Sequence, residues 1–240
     1  MKPMNSPCSV SLVIPAHNEE NIIRETALSY YDALTHAKEI KSFEIILVSN
    51  HCSDNTPKVC RELSKKKNII HLDFTEKIGK GGAVEKGFIQ AKYDWLGFVD
   101  ADNSIKPEQF LRLVRETNAQ EVGAVIGSKR MPETIMNPPQ PLSRQIMGWF
   151  FSKFQNILFQ TGVNDSQCGA KIFRRKAIEP IHFLEKGFTF DVELLHRTLR
   201  AGYKIKELGV VCQNSSVSRV KWFSPIQMFI ELIRLRARVK

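Results

Sequence analysis

The stretch Gly97-Phe98-Val99-Asp100-Ala101-Asp102-Asn103, GFVDADN, closes an apolar run with two carboxylates one residue apart. Aspartate is a poor strand former and is costly to bury unpaired. The run it closes, residues 95–99, is apolar throughout, which is the pattern of a strand covered on both faces. In extended backbone, residues i and i+2 share a face, so Asp100 and Asp102 are expected to converge on one point beyond the strand end. Adjacent anions repel unless a cation lies between them, and hard oxygen donors suit Mg²⁺ or Mn²⁺. A solvated turn that happens to hold two acids fits the same letters, so D-x-D alone leaves both readings open.

Outward from this stretch, further apolar runs lie at 10–14, 44–48, 69–72 and 124–126, with helix-like segments at 20–37, 56–65 and 83–92. Strands alternating with helices predict an α/β fold with a mixed, mainly parallel central sheet flanked by helices. Such sheets bind ligands at the carboxyl ends of their strands. Pro132, Pro138, Pro139 and Pro141 then mark a loop. Beyond it, Ile146, Trp149, Phe150, Phe154, Ile157 and Leu158 recur at helical spacing over 143–159, an aromatic-rich amphipathic helix whose apolar face is expected in the core. A strand at 170–173, a helix at 191–200 and a strand at 205–210 follow. The organisation expected is one catalytic domain over 1–223, with halves at about 8–130 and 131–212, and a basic helix over 224–240. In that tail Ile226, Phe229, Ile230 and Ile233 form a stripe beside Arg234 and Arg238. Lying in a membrane interface and packing back on the domain are both open to it.

The formal net charge of +10 favours a polyanionic partner. No RNP1, KH or zinc-finger pattern accompanies it, so nucleic acid is not expected. Five cysteines without a C-x-x-C pair argue against a disulfide framework or structural zinc and fit a reducing compartment. No apolar run approaches the ~20 residues that span a bilayer. A cytoplasmic protein, peripheral on the cytoplasmic face of a membrane, is the expectation.

Three other polar turns follow strands. SLVIPAHNEE (11–20) ends in a turn where Asn18 and Glu19 are placed to contact a nucleotide. SNHCSDNT (49–56) is a second turn, with Asn50 and Asp54. Gly79-Lys80-Gly81-Gly82 opens a helix at Ala83, where glycines permit close backbone approach, the helix start favours anions and Lys80 adds charge. It is not a P-loop, since G-x-x-x-x-G-K-[ST] is absent.

Taken in order, SLVIPAHNEE, the D-N-T turn, GKGGAV, FVDADNS and IGSKR resemble the family 2 glycosyltransferases of the GT-A fold. DSQCGAK (165–171), FTFDVELL (188–195) and SRV (218–220) are similar to the branch that glycosylates polyprenyl phosphates such as dolichyl phosphate. The resemblance implies an inverting hexosyltransferase, with glucose from UDP-glucose ahead of a GDP-sugar and an anionic membrane surface as its workplace. A saccharide acceptor is the alternative, and a non-catalytic nucleotide-sugar or nucleic-acid binding protein a distant one. The resemblance places Pro15, Ala16 and Glu19 in the first nucleotide loop, Asn50, Asp54, Lys80, Gly81 and Ala101 around the donor, and the metal on Asp100 and Asp102. Lys129, with Arg130 beside it, stands where the family usually has an arginine after Gly-Ser. Arg144, Lys171 and Arg219 become phosphate binders, and Asp191 and Glu193 the acceptor-side acids, with Asp191 the candidate base. The family's D-D-G-S turn is here Ser49-Asn50-His51-Cys52, and its usual first-loop tyrosine is His17. A lipid phosphate, whose second pKa is near ~6, is largely dianionic at neutral pH, so positioning outweighs a base.

Overall fold

The apolar runs become the inner strands of one sheet, because runs covered on both faces have no other place to go. The computed structural model describes residues 7–213 and 224–239. In chain order the elements are β1 (Cys8–Ala16), α1 (Ile23–His36), β2 (Ile40–Asn50), α2 (Thr56–Leu63), β3 (Ile69–Phe74), α3 (Gly79–Gln90), β4 (Trp95–Val99), α4 (Pro107–Arg115) and β5 (Val122–Ser128). Then come β6 (Ile135–Asn137), α5 (Leu142–Phe159), β7 (Ala170–Arg174), α6 (Arg175–Ile178), α7 (Phe190–Arg200), β8 (Lys204–Gly209), β9 (Val211–Gln213) and α8 (Ser224–Arg238).

Seven strands form a sheet in the order β3-β2-β1-β4-β7-β5-β8. All neighbours are parallel except β7, which runs antiparallel to β4 and β5. The expected mixed, mainly parallel sheet is thus formed. Helices α1, α2 and α4 cover one face through Tyr30, Cys60 and Phe110, and α3 and α7 cover the other through Phe88 and Leu194.

Helix α4 was not expected, although Pro107 at its first turn and the buried Phe110, Leu111, Leu113 and Val114 are ordinary start and face signals. It also explains Gly97: a Cβ there would sit 2.6 Å from the Phe110 ring, so the glycine in GFVDADN lets α4 close on β4. Helix α3 begins at Gly79, before the Ala83 expected, because its first N–H groups find partners in a distant segment described below.

A third cluster joins α5, α7 and α8 through Phe151, Phe159, Val192, Leu232 and Leu235. Each buried leucine contributes roughly 1.5–3 kcal/mol, which docks the tail helix on the domain. Phe229 follows them, its ring 5.1 Å from that of Phe154, whereas Ile230 and Ile233 face outward. Ile226 lies outside the described side chains. The core expectation for α5 is corrected: Ile146, Trp149, Phe150 and Ile157 are 51–75% exposed, because the sheet's faces are already filled and, among the described residues, α5 packs mainly on α7 and α8.

Candidate active site

Two loops at the carboxyl ends of β1 and β2 are laced together. The Ser53 N–H donates to Asn18 Oδ1 at 2.7 Å, and the Glu19 N–H donates to Thr56 Oγ1 at 2.7 Å. Both Asp54 oxygens accept backbone N–H groups, from Glu20 at 3.1 Å and Thr56 at 2.9 Å. Burial opposes ionisation of Asp54, but these hydrogen bonds prevail and hold its carboxyl below the ordinary value. Asp54 therefore ties the loops rather than presenting a free carboxylate. Asn50, another expected donor contact, accepts the Ile78 N–H at 3.0 Å and donates to the Gly79 carbonyl at 3.2 Å, pinning the start of α3. His17 and His51 stack with rings 6.2 Å apart at the rim. Pro15 and the buried Ala16 end β1, and Glu19 is buried behind them.

The glycine loop departs from the anion-cradle expectation. The Gly81 N–H donates to the carbonyls of Lys186 at 2.9 Å and Gly187 at 3.2 Å, and the Gly82 N–H to Lys186 at 3.3 Å. A Cβ at Gly81 would press on Phe190 at 2.8 Å. These donors are satisfied by protein, so Gly81 is a packing position, and only Lys80 of this loop reaches the site.

Strand β4 ends at Val99, and the chain turns at Ala101–Asp102, so the two acids do not share one extended strand. Asp100 turns inward: its Oδ1 is 2.6 Å from Lys80 Nζ, and its N–H donates to the Gly169 carbonyl at 2.9 Å. A Cβ at position 169 would overlap the Asp100 carboxylate, so that glycine permits the approach. Asp102 is exposed and accepts the Ser104 N–H at 3.0 Å. The buried Ala101 between them is held by Thr26, whose hydroxyl donates to its carbonyl at 2.8 Å.

Beneath this turn lies a second pair. Lys171, on β7, is fully buried with its Nζ 2.7 Å from Asp191 Oδ1, and it also donates to the Cys168 carbonyl. Burial raises the Asp191 carboxyl above its ordinary value, with Lys171 and then Lys80 acting against the rise. Burial lowers the Lys80 ammonium, but Asp100, Asp191 and Asp102 outweigh it and the net shift is upward. Both ammonium groups lie over the Phe98 ring, Lys80 at 5.8 Å and Lys171 at 5.0 Å. Phe98, not singled out from the sequence, is the platform for two lysine–aspartate pairs.

Glu193 does not join them. It is fully buried, accepts the Leu184 and Glu185 N–H groups at 2.9 Å each, and pairs with Arg197 at 2.6 Å. That is a support for the 184–185 segment, which corrects its expected place at the acceptor.

On the other flank, Lys129 follows β5, its N–H donating to Asp165 at 2.8 Å. Burial opposes its charge, while Cys168, Asp165, Cys212 and Asp100 favour it and raise its pKa. The Arg130 guanidinium lies against α5 at Gly148, where a Cβ would overlap it. These two cations, with Met131, Met136, Ile146 and Trp149, line a cavity of about 640 Å³. Arg144 is exposed on the first turn of α5, and Arg219 lies outside the described residues. Among the described residues no group of three or more His, Cys, Asp or Glu is placed to hold a metal.

The site thus sets the exposed Asp102, a half-buried Lys80–Asp100 pair and a buried Lys171–Asp191 pair on one flank, and on the other a cavity lined by two cations together with apolar and polar side chains. A sequence model of Glycosyl transferase family 2 matches residues 11–181. Glycosyltransferase AglD of Haloferax volcanii is 29% identical over 204 residues, covering 84% of this chain, which spans 32% of that protein. The dolichyl-phosphate beta-glucosyltransferase of Dictyostelium discoideum is 28% identical over 244 residues, 95% of this chain and 74% of that one. The crystal structure of glucosyl-3-phosphoglycerate synthase from Mycobacterium tuberculosis, in complex with Mn²⁺, UDP and glucosyl-3-phosphoglycerate, superposes with a TM-score of 0.70 at 15% identity, covering 97% of this chain and 81% of that one. On its sheet, its turns and this match, the chain belongs to glycosyl transferase family 2 and has the GT-A fold.

Proposed function

We propose that this chain transfers glucose from UDP-glucose to a polyprenyl phosphate, with inversion, at an anionic membrane surface. The observation that carries the reading is the cavity joining Lys129 and Arg130 to an apolar wall of Met131, Met136, Ile146 and Trp149. A lipid phosphate uses both: cations for its head and apolar side chains for its first isoprene units. Thr134, Gln140 and Gln145 also line the cavity and could serve a saccharide, but a saccharide brings no anionic head for the two cations. The names of relatives, which include a dolichyl-phosphate beta-glucosyltransferase, support the same choice.

In this reaction a phosphate oxygen of the acceptor bonds to the anomeric carbon as the bond to the diphosphate oxygen breaks, and UDP leaves. Lys129 and Arg130 hold the attacking phosphate, and Lys80 stands on the diphosphate side next to Asp100. The chemistry of the donor set suits a divalent ion, Mg²⁺ or Mn²⁺: Asp100, released from Lys80, and the exposed Asp102 would hold it through hard carboxylate oxygens. When bound, that ion neutralises charge on the leaving group. Asp191 is buried against Lys171, and a dianionic acceptor gives it no proton to remove, so its role is to balance Lys171 beneath the site.

The exposed face of α5 supports the membrane reading. Leu142, Ile146, Trp149, Phe150 and Ile157 are exposed, Arg144 and Lys153 are its charges, and the helix has no acidic residue. No helix among the described residues is long and apolar enough to cross a membrane, so the chain would lie on the surface, on the cytoplasmic side where nucleotide-sugars are made. The test is incubation with Mg²⁺ or Mn²⁺, a short polyprenyl phosphate and a panel of UDP- and GDP-sugars, with the lipid product detected by mass. Glucosyl lipid phosphate from UDP-glucose is expected. Product from none of the donors would overturn the reading.

A further inference from the structure

Helix α8 carries arginines at 234, 236 and 238 and a single acid, Glu231. That acid is turned towards the segment between α6 and α7. Its carboxylate accepts the Thr189 hydroxyl at 3.1 Å, and a Cβ on Gly187 would stand 3.1 Å from its Oε2. Gln227, one turn earlier, donates to its other oxygen at 2.9 Å. Arg238 makes a second tie, to the Leu184 carbonyl at 3.2 Å and the Glu185 carboxylate at 3.1 Å. The tail helix therefore grips the segment 184–189 at both ends.

The same segment sets both lysine–aspartate pairs. Its Lys186 and Gly187 carbonyls receive the first N–H groups of α3, next to Lys80. Thr189, fully buried, accepts the Val192 N–H at 3.0 Å and so starts α7, two residues before Asp191. A shift of Gly187–Thr189 would move the start of α3 and the start of α7 together. Lys80 and Asp191 lie within one or two residues of those two starts.

We infer that Glu231 is a positioning residue for glycosyl transfer, fixing Lys80 and Asp191 through Gly187 and Thr189. The inference rests on the reading above for its kinetic test, and on hydrogen exchange independently of it. Misplacement of about an ångström in such a site lowers turnover by roughly a hundredfold, and loss of one supporting hydrogen bond is expected to lower it by roughly tenfold.

The experiment uses the full chain as wild type, Glu231→Ala, Glu231→Gln, Thr189→Val and the Glu231→Ala/Thr189→Val double variant. Transfer from UDP-glucose to a short polyprenyl phosphate is measured beside amide exchange by mass spectrometry. Glu231→Ala and Thr189→Val are each expected to lower kcat about tenfold while donor KM stays within about twofold, with the double variant no worse than either single. Glu231→Gln, whose amide oxygen still accepts from Thr189, is expected within about twofold of wild type. Exchange should rise in peptides spanning 184–193 and not in those of β1 and β4. Wild-type kcat in Glu231→Ala, losses in Glu231→Gln as large as in Glu231→Ala, or exchange rising evenly along the chain would overturn the inference. A wild-type protein that glycosylates no lipid phosphate would instead overturn the functional reading. The exchange pattern would then decide the positional claim: a rise confined to 184–193 upholds it, and none there overturns it.

Discussion

The turns after β1, β2 and β4, proposed to take the donor, and the helices α5 and α8, proposed to face the acceptor, hold their polar and apolar groups in opposite ways. Around the ends of β1, β2 and β4, acids and amides are spent on neighbouring backbone: Asp54 on Glu20 and Thr56, Asn50 on Ile78 and Gly79, Asp102 on Ser104. Around α5 and α8, apolar side chains are left in the open, with Trp149 51% and Ile157 75% exposed. A rigid, hydrogen-bonded rim suits a small polar donor whose diphosphate must be held in one geometry. An exposed apolar face flanked by Arg144 and Lys153 suits a lipid that arrives from a surface. Between the two sit Lys80–Asp100 and Lys171–Asp191, sharing the Phe98 ring.

The sharpest way to break this division is to remove charge from the exposed turn after β4 and, separately, from the buried pair at Phe98. Asp102→Asn is expected to lower kcat by roughly 10²–10³, the scale for removing one electrostatic contributor to a transition state. Asp191→Asn should retain more transfer activity than Asp102→Asn, both measured where circular dichroism shows them folded. Equal and near-complete losses would place a base at Asp191 and count against direct attack by phosphate.

The largest effect on stability belongs to Lys171→Ala. Lys171 is fully buried and its removal leaves Asp191 without its nearest cation, a change that costs about 3–5 kcal/mol. Thermal unfolding should fall by roughly 6–20 °C for a chain of this size. An unchanged midpoint would mean that the pair is not buried together.

Gly169→Ala follows, because the added methyl must displace the Asp100 carboxylate. A loss of about 1–3 kcal/mol in stability is expected, with weaker binding of Mn²⁺ and UDP by calorimetry. Binding equal to wild type would show that Asp100 does not need that approach.

The smallest effect on stability belongs to Trp149→Ser, at most about 0.5 kcal/mol for an exposed side chain. Its effect should instead appear in co-sedimentation with vesicles containing anionic lipid and in acceptor KM. Unchanged sedimentation would remove α5 from the membrane face.

The donor half was legible because its signals are local in sequence. The run 95–99 became β4, and the polar turns after β1 and β2 fell at strand ends, since burial on both faces leaves no other place for such runs. The roles of single residues were less legible, because partners decide them and partners are remote. Nothing in GKGG indicates that Gly81 will donate to Lys186, 105 residues on. Asp100 and Asp102 looked equivalent at i and i+2, but the turn after Val99 sends one to Lys80 and the other to solvent. The periodicity of α5 gave a helix and an apolar face but not its surroundings, because an exposed apolar face and a buried one share one pattern. Helix α4 is different: Pro107 and its apolar spacing were present to be read.

The most direct test of the acceptor is a competition between a polyprenyl phosphate and the matching polyprenol, at equal concentration in the same vesicles, with UDP-glucose and Mn²⁺. Glucose on the phosphate, with none on the alcohol, is the predicted result. Transfer to the alcohol at a comparable rate would contradict the account, since neither the Lys129 and Arg130 cations of the cavity nor a reaction without a base would then have a purpose.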